Sequence, residues 1–585
     1  MAFPAVPLAS KQTRAADAVW LAQTGDLDAA KAAFEQAIAL DRRNPELLFN
    51  LAIVEEQRGN ADAAASRLTH VLALKSNFPQ AASRLSRLLA RFRIADLSQF
   101  SEAGLKAALL TPGIGHQPIV DVALTWLLST GDGQALVDGV KAGSPVLILA
   151  LRAGIVKNHL HELTLTELRA MLLMRSAAAK FEDRRVMELA IAMVAQGWNN
   201  DHAWAETPAE TAALDALAID RQKLASGDID ASLQFLLHAL YRPLDQIVTP
   251  PLNIAEARAL KPRILRDAIT LHLEAQARQR QLTQNIRVLR PLTDETSRRV
   301  AGQYEAAPYP RWQSLHRSPS GSLKRALERH FPIDKLAFMD GPFDVLIAGC
   351  GTGQQALQSA VAYGPQAHLT AMDLSAASLG YASDMAKVQA VDNVTFVQGD
   401  ILDCGLPDRA FDIVECVGVL HHMADWRAGW TALLHKLKPG GLMYIGLYSA
   451  TSRSNLRELR REPTYPGPGC SDAAARDYRR QLMIRADGTP GSELKVSRDF
   501  YALHAFRDLV LHESEAHVTL EEIAAFLEHN RLAFRGFTIE PQVAAEFAQA
   551  FPQSPLPGPL TDWAQFERTH PRTFDGMYRF WVERP

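Results

Sequence analysis

Three glycines at alternate positions are the first residues of this chain whose spacing suggests chemistry. Gly349, Gly351 and Gly353 follow an apolar run and precede a stretch typical of a helix. Glycine has no Cβ, so a ligand can approach such a backbone closely. Asp373 follows the next apolar run, twenty residues beyond Gly353. A carboxylate there can accept hydrogen bonds from both hydroxyls of a ribose, so the pattern predicts a nucleoside-binding site.

The spacing of the glycines narrows the choice of nucleoside. A dinucleotide-binding loop usually has the spacing G-x-G-x-x-G and places a pyrophosphate at the following helix N-terminus. Here the spacing is G-x-G-x-G, and Gln354 stands where a third glycine or alanine is expected. A nicotinamide-dependent oxidoreductase is therefore the weaker alternative.

A series of apolar runs predicts the sheet that must position these residues. The runs lie at 343–348, 368–372, 393–397, 411–416 and 437–447. The second run ends at Asp373, and the third ends at Asp400 and Ile401. This order predicts an α/β domain whose polar residues follow the carboxyl ends of its strands.

With these features, residues 304–585 resemble the class I S-adenosylmethionine-dependent methyltransferases. The resemblance implies a Rossmann-like, seven-stranded sheet in which residues 534–540 and 577–583 form the closing antiparallel pair. It also implies S-adenosyl-L-methionine as cofactor, with the glycine loop at its methionine end, Asp373 at its ribose and Asp400 at its adenine. The implied cofactor-binding residues are Gly349, Cys350, Gly351, Thr352, Gly353, Asp373, Leu374, Asp400, Ile401 and Val417.

Two histidines after the fourth strand are the candidate catalytic residues. The run from Val417 to His422 would form the wall between cofactor and acceptor, and its V-L-H-H segment resembles small-molecule and carbon/oxygen methyltransferases. Enzymes that methylate planar amides or bases often carry an Asn/Asp-Pro-Pro-Tyr motif at this position. The motif is absent from this run, which argues against such acceptors. Imidazole titrates near neutral pH, so His421 or His422 could act as general base. Alternatively, His421 only hydrogen-bonds the loop.

The segment YEAAPYPRW, from Tyr304 to Trp312, combines aromatic, proline and charged residues. Its prolines favour an extended backbone, so it is predicted to form an arm just before the first strand. Tyr304, Tyr309 and Arg311 are therefore candidates for substrate or lid residues over the cofactor pocket. The alternative is a rigid linker between domains whose aromatic side chains pack into a seam.

An internal repeat of 34 residues organises the N-terminal part. Gly25 matches Gly59 and Leu40 matches Leu74, and alanine-rich stretches recur with them. This period resembles the tetratricopeptide repeat. The segment YEAAPYPRW also resembles segments of bacterial methyltransferase domains fused behind such repeats. The repeats are expected either to brace a neighbouring domain or to recruit a protein partner.

These patterns divide the multidomain chain into three parts. They are a repeat region at 1–95, a helical linking domain at 96–298 and the methyltransferase domain at 299–585. An insertion at about 450–517 interrupts the last domain with arginines at helical spacing, among them Arg453. These arginines could pair with an acceptor carboxylate or phosphate, or face solvent.

Composition limits the remaining possibilities. A formal net charge of −3 provides no global field for nucleic acid or a membrane surface, so neither partner is expected. The four cysteines contain no C-x-x-C pair, and no histidine cluster completes a metal site, so no metal is expected. No signal peptide or membrane span is visible, which together with the scattered cysteines suits a cytoplasmic enzyme.

The sequence therefore predicts an S-adenosylmethionine-dependent methyltransferase that acts on an unidentified protein or small molecule. The helical repeats would position the acceptor or a partner. The alternative from a different class is an interaction scaffold whose methyltransferase fold has lost activity. The intact glycines, Asp373 and Asp400 favour the enzyme.

Overall fold

The computed structural model describes residues 11–129, 144–174, 183–306, 308–574 and 576–585. They divide into two compact units. One contains the described residues up to Ala268 together with Gln313–His316, and the other contains Ile269–Trp312 and Arg317–Pro585. The boundaries at 95 and 298 stay predictions.

The first unit is helical, as the sequence predicts, and opens with paired helices. Gly25 and Gly59 have φ of +90° and +80° and allow the tight turns within two pairs. The side chain of Asn44 caps a helix by accepting bonds from Glu46 N and Leu47 N. The first five helices are Lys11–Thr24 (α1), Leu27–Leu40 (α2), Pro45–Gln57 (α3), Ala61–Leu74 (α4) and Pro79–Arg91 (α5).

The rest of the first unit is also helical. Among the described residues, ten further α-helices follow α5, and the last of them spans the boundary between the two units. They are Glu102–Leu110 (α6), Gln117–Ser129 (α7), Pro145–Ala153 (α8), His159–Met174 (α9), Arg184–Asn199 (α10), Pro208–Asp215 (α11), Arg221–Ala225 (α12), Ile229–Ala239 (α13), Ile254–Ala257 (α14) and Arg263–Gln284 (α15).

The second unit is built on one mixed sheet. Its strands are Arg287–Val288 (β1), Phe343–Ala348 (β2), Ala367–Asp373 (β3), Val394–Gln398 (β4), Phe411–Val417 (β5), Leu437–Tyr448 (β6), Ala533–Phe537 (β7) and Met577–Glu583 (β8). The spatial order is β1-β4-β3-β2-β5-β6-β8-β7, and only the pairs β6–β8 and β8–β7 are antiparallel. The α/β fold and the closing antiparallel pair are thus confirmed.

Within the described ranges the sheet has eight strands, so the predicted count of seven is wrong by one. Arg287 and Val288 pair in parallel with Val397 and Gln398 at the edge of β4. The N–H of Leu289 then donates to the carbonyl of Gln398 at 2.9 Å. An edge strand has unpaired backbone groups, and this short segment satisfies some of those on β4.

Helices cover both faces of the sheet, because β2 and β5 are almost continuously apolar and buried. Three helices between β6 and β7 lie in the predicted insertion, at 454–459, 472–483 and 503–510. The helices of this unit after α15 are Glu295–Ala306 (α16), Ser322–Leu327 (α17), Gln354–Tyr363 (α18), Ala376–Val388 (α19), Trp426–Lys436 (α20), Ser454–Leu459 (α21), Asp472–Met483 (α22), Leu503–Val510 (α23), Leu520–His529 (α24), Pro541–Ala550 (α25) and Leu560–Thr569 (α26).

The strand order reverses between β2 and β5. The chain passes outward from β2 to β3 and β4, then returns to place β5 and β6 on the other side of β2. The carboxyl ends of β2 and β5 diverge at this switch point, where open α/β sheets bind ligands.

A buried carboxylate stabilises the switch point from within. Glu415 on β5 is 2% exposed. It accepts hydrogen bonds from Gln355 Nε2 at 2.9 Å, Ser359 Oγ at 3.0 Å and Tyr363 OH at 2.7 Å. All three donors lie on α18, the helix that follows the glycine loop. Glu415 therefore holds that helix, and with it the loop, against the central strand.

We expect Glu415→Ala to lower the free energy of unfolding by about 2–4 kcal/mol, because three donors lose a shared buried acceptor. Chemical denaturation of the full chain measures this change. Glu328→Ala is the matched control, since Glu328 is exposed and its removal should change stability little. Equal stability of the two variants would contradict the role given to Glu415.

Candidate active site

A cavity of about 440 Å³ opens at the carboxyl ends of β2 to β5. Its size is typical of small-molecule and cofactor sites. The structure brings most of the predicted cofactor residues together around it. Those that line it are Gly349, Cys350, Gly351, Asp373, Leu374, Asp400, Ile401 and Val417.

The glycine loop needs glycine for steric reasons. Gly349, Gly351 and Gly353 have φ of +75°, +51° and +81°, in the left-handed region. A Cβ on Gly349 would lie 2.3 Å from Cγ2 of Val419, and one on Gly353 would lie 2.7 Å from Cβ of Ala382. The loop can therefore pass between the strands and the pocket only without side chains at these positions.

Asp373 is tied to the glycine loop. Its Oδ2 accepts from Gly351 N at 2.7 Å, and its Oδ1 accepts from Ser375 N at 2.9 Å. Burial raises the pKa of Asp373, and these two backbone donors oppose that rise. Each carboxylate oxygen has a further lone pair, so the group can still accept hydroxyl hydrogen bonds from a ligand.

Asp400 and Ile401 lie at the end of β4, on the far side of the pocket from β5. Asp400 is 7% exposed, and its Oδ1 accepts from Leu402 N at 3.0 Å. Ile401 starts a short 3₁₀ turn and is also buried. A carboxylate beside an apolar side chain suits a flat, hydrogen-bonding ring such as adenine.

Thr352 and Gly353 do not line the pocket. The hydroxyl of Thr352 donates to the carbonyl of Pro310, and its own carbonyl accepts from Trp312 Nε1 at 3.0 Å. Gly353 is the N-cap residue of α18. These two residues lie behind the loop and fix its backbone, so any contact of theirs with a cofactor stays a prediction.

The candidate lid residues separate into two groups. Tyr304 and Tyr309 line the pocket, whereas Arg311 does not. Arg311 instead lies near His272, where its charge adds to burial in lowering the pKa of that histidine to about 3. Tyr304 is on the last turn of α16, so the expectation of an extended arm from that residue onward is wrong. Residues 295–306 follow a helical pattern and form a helix. The prolines favour an extended backbone only from residue 308 onward.

The two candidate catalytic histidines have different surroundings. His421 is fully buried, stacks on Tyr448 with ring centroids 3.6 Å apart, and does not line the pocket. Its Nδ1 accepts from the backbone N–H of Tyr448 at 3.3 Å, and its carbonyl accepts from Ala516 N at 2.7 Å. This geometry favours the alternative that His421 anchors the loop.

His422 does line the pocket. Its Nδ1 lies 2.9 Å from the carbonyl of Ser514. A carbonyl can only accept, so Nδ1 carries the proton and Nε2 keeps its lone pair. Burial lowers the pKa of His422 to about 4, so the ring is neutral near neutral pH.

Sequence analysis did not assign several polar residues of the site, among them the following four. Tyr448 ends β6, and Asp499 and Asp508 come from the insertion; all three line the pocket. His512 stacks on His422 with ring centroids 3.8 Å apart. The i, i+4 spacing of Asp508 and His512 was a signal in the sequence, but it is equally typical of an exposed ion pair.

His422, Asp508 and His512 are also a group with the donor types of a metal site, with ligand atoms within 4.8 Å of one another. The two imidazole planes, however, are inclined by only 29°. A ring-nitrogen lone pair lies in the plane of its imidazole. When two histidines bind one metal ion, the planes of both rings therefore converge on that ion. The Nδ1 of His512 also accepts from Ser514 N at 3.1 Å, which leaves its proton on Nε2. This geometry does not favour a metal.

Comparison with known families agrees with the site. A methyltransferase-domain model matches residues 345–441, and a tetratricopeptide-repeat model matches residues 21–91. The chain therefore carries a methyltransferase domain behind tetratricopeptide repeats, which confirms both resemblances. The domain is of the S-adenosylmethionine-dependent class, and S-adenosylmethionine is the cofactor of that class.

Individual relatives are distant. An uncharacterized protein of Synechococcus sp. is 29% identical over 42% of this chain and 61% of that protein. The sterol 24-C-methyltransferase of Yarrowia lipolytica is 24% identical over 30% of this chain and 46% of that enzyme. The chain thus spans about half the length of these curated relatives. Among solved structures, PKMT2 from Rickettsia typhi in complex with AdoHcy is 15% identical with a TM-score of 0.34, over 45% of this chain and 52% of that one.

The structure also bears on membrane association. Among the described residues, no helix combines the length and the apolar character needed to span a membrane.

We expect Asp373→Ala to weaken binding of S-adenosylhomocysteine by about 1–3 kcal/mol, because a charge-assisted acceptor is lost. Isothermal calorimetry on the full chain measures the affinity. Asp408→Ala is the control, since Asp408 is an exposed aspartate paired with Lys436. Unchanged affinity in a folded Asp373 variant would refute the ribose assignment, and binding of NAD by the wild type would favour the oxidoreductase.

Proposed function

We propose that this protein transfers the methyl group of S-adenosylmethionine to an acceptor that enters over β5 and β6. The observation that carries the proposal is the glycine loop, which leaves a side-chain-free cradle at the strand-order switch point and is hydrogen-bonded to Asp373. Degenerate folds lose such groups, so this arrangement supports an enzyme over an inactive scaffold. The missing third glycine of a dinucleotide loop counts against a nicotinamide enzyme.

The reaction is an in-line displacement. The cofactor supplies an electrophilic methyl group on a sulfonium. The lone pair of the acceptor atom forms a bond to the methyl carbon while the carbon–sulfur bond breaks, and the sulfur keeps the electron pair as S-adenosylhomocysteine. Positioning supplies much of the acceleration, and a base is needed only where the acceptor arrives protonated.

The residues of this chain take distinct roles in the proposal. The glycine loop and Asp373 hold the methionine and ribose ends, while Asp400 and Ile401 hold the adenine. Tyr304 and Tyr309 cover the pocket. Among the two candidate histidines, His422 is the base, because its Nε2 retains a lone pair and its ring borders the pocket.

The tetratricopeptide repeats are proposed to recruit a protein partner or acceptor. Repeats of this kind commonly bind other proteins. One large apolar side chain supports a docking role in this chain, since Trp20 on α1 is 62% exposed. Exposed tryptophans are enriched where proteins bind one another.

The experiment that tests the function is transfer of a labelled methyl group from S-adenosylmethionine to the components of a cell extract by the purified full chain. We expect label in one acceptor fraction, together with S-adenosylhomocysteine. Trp20→Ala should lower the labelling of a protein acceptor, while cofactor affinity stays unchanged. A protein that binds the cofactor but labels nothing would favour the scaffold alternative.

Replacement of the two histidines should separate their roles. We expect His422→Ala to reduce turnover about 10²–10⁴-fold with cofactor affinity preserved, as for loss of a general base. His421→Ala should mainly lower stability, since a buried stacked ring leaves a cavity. Thermal unfolding, calorimetry and turnover on the acceptor distinguish the two outcomes.

The pH profile gives an independent check of the same assignment. A histidine accepts a proton only above its pKa, and the pKa of His422 is lowered to about 4. The acidic limb due to this group should therefore lie near pH 4 and not near 6.5, the value of an exposed imidazole. A His422→Ala enzyme that is as active as the wild type would exclude the base role.

A further inference from the structure

A second cavity lies beside the cofactor pocket, on one face of the sheet. Its volume is about 790 Å³, which is within the range of small-molecule sites. Gln355 and Val417 line both cavities, so the two are direct neighbours. The rest of the lining comes from the segment 323–330, from α18 and from strands β5 to β8 with the residues that follow β7. The proposed methyl transfer does not use this space.

The floor of the second cavity is formed by β6 and β8. Directly paired residues of neighbouring strands point to the same face of a sheet, and so do residues two apart on one strand. Tyr444 pairs with Trp581, and Arg579 lies two residues from Trp581, so these three side chains share a face. All three line the cavity. The alternate residues Tyr578 and Phe580 are fully buried in the apolar core on the opposite face.

Aromatic side chains form one wall of the second cavity. The rings of Tyr444 and Trp581 stack, with centroids 4.7 Å apart and planes inclined by 25°. Phe537 and Trp563 also line the space. Aromatic rings pack well against other rings in offset-stacked or edge-to-face contacts. The wall therefore suits a ligand with a flat aromatic body.

Three arginines line the same cavity, Arg329, Arg535 and Arg579. Arg535 is paired within the chain, since its Nε donates to Glu583 Oε2 at 2.8 Å. Arg329 and Arg579 are exposed, and in the part of the chain that the structure describes neither forms an ion pair with a carboxylate. Burial raises the pKa of Tyr444, and the charge of Arg579 opposes that rise, so the guanidinium lies near the aromatic wall.

The other ionisable groups of the cavity leave these two charges uncompensated. Glu415 is the one acidic residue among the described residues of the lining, and its oxygens already accept three hydrogen bonds from α18. His330 Nδ1 lies 3.0 Å from the carbonyl of Arg535, and burial lowers the pKa of this histidine, so its ring is neutral. Glu328 and Glu540 are exposed beside the cavity but do not line it.

A guanidinium binds carboxylate and phosphate groups through paired, charge-assisted hydrogen bonds. We propose that the second cavity binds a flat aromatic molecule that bears a carboxylate or a phosphate. Tyr444 and Trp581 contact its ring system, and Arg329 and Arg579 bind its anionic group. This ligand is separate from S-adenosylmethionine, so the inference goes beyond the proposed methyl transfer.

Both parts of the ligand are needed for tight binding. An anion without a ring gains only exposed ion pairs, which contribute little in water. A neutral aromatic molecule leaves both guanidiniums without a partner, and an organic cation is repelled by them. The combination of ring and anion places the charge pairs beside an apolar wall, where they are screened less.

The test uses the full chain saturated with S-adenosylhomocysteine, so that the cofactor pocket is filled. Calorimetry compares 2-naphthoate and 2-naphthyl phosphate with the neutral 2-naphthalenemethanol and with acetate. We expect one or both aromatic anions to bind roughly tenfold or more tightly than the alcohol and than acetate. The double variant Arg329→Gln with Arg579→Gln should lose this preference, because glutamine keeps a polar side chain without the charge.

The matched control is Arg325→Gln, since Arg325 is an exposed arginine of α17 that does not line the cavity. It should leave the preference unchanged. Thermal unfolding checks that all variants are folded, which we expect because the three arginines are exposed.

The outcomes decide the proposal. It is overturned if neither aromatic anion binds, if the alcohol or acetate binds as tightly, or if the double variant behaves like the control. An aromatic anion that binds only in the absence of S-adenosylhomocysteine occupies the cofactor pocket, which also overturns the proposal. Tighter binding of 2-naphthoate indicates a carboxylate ligand, and tighter binding of 2-naphthyl phosphate indicates a phosphate ligand.

Discussion

The whole site depends on a steric constraint at the end of β2. There the chain must turn within a space that Val419 and Ala382 already limit, and the loop takes left-handed conformations to do so. Side chains at Gly349 or Gly353 would overlap these neighbours. The absence of side chains keeps open a backbone cradle at the point where the strand order reverses.

Buried polar groups maintain this turn from two sides. Glu415 holds α18, the helix after the loop, by three hydrogen bonds. On the other side of the sheet's switch point, Arg453 joins Glu515 and stacks on Tyr448, which orders the insertion above β6. Such groups are costly to bury unless they are fully paired, so they fix one arrangement of the surrounding elements. Separate networks thereby position the helix after the glycine loop and the insertion above β6.

That Asp373 and Asp400 line one pocket could be predicted from sequence, because both lie next to strand ends. Asp373 and Asp400 each follow a short apolar run, and parallel strands bring such positions to one edge. The contribution of the insertion to the pocket could not be predicted in this way. Asp499 and Asp508 follow no strand, and only the packing of the insertion brings Asp508 beside Tyr304, some 200 positions earlier in the chain. The extra strand β1 was missed for a related reason, since two exposed residues carry no apolar pattern.

The sequence alone determined the classes of structure in this protein. Apolar periodicity defined the strands and helices, the glycine spacing defined the loop, and the 34-residue period defined the repeats, because each signal is local or strictly periodic. Only the tertiary structure decided which side chains face the pocket. It placed His421 in the core and His422 at the cavity, although the two are neighbours with the same chemistry. That difference arises from packing against Tyr448 and Ser514, contacts whose partners are distant in sequence and leave no local pattern.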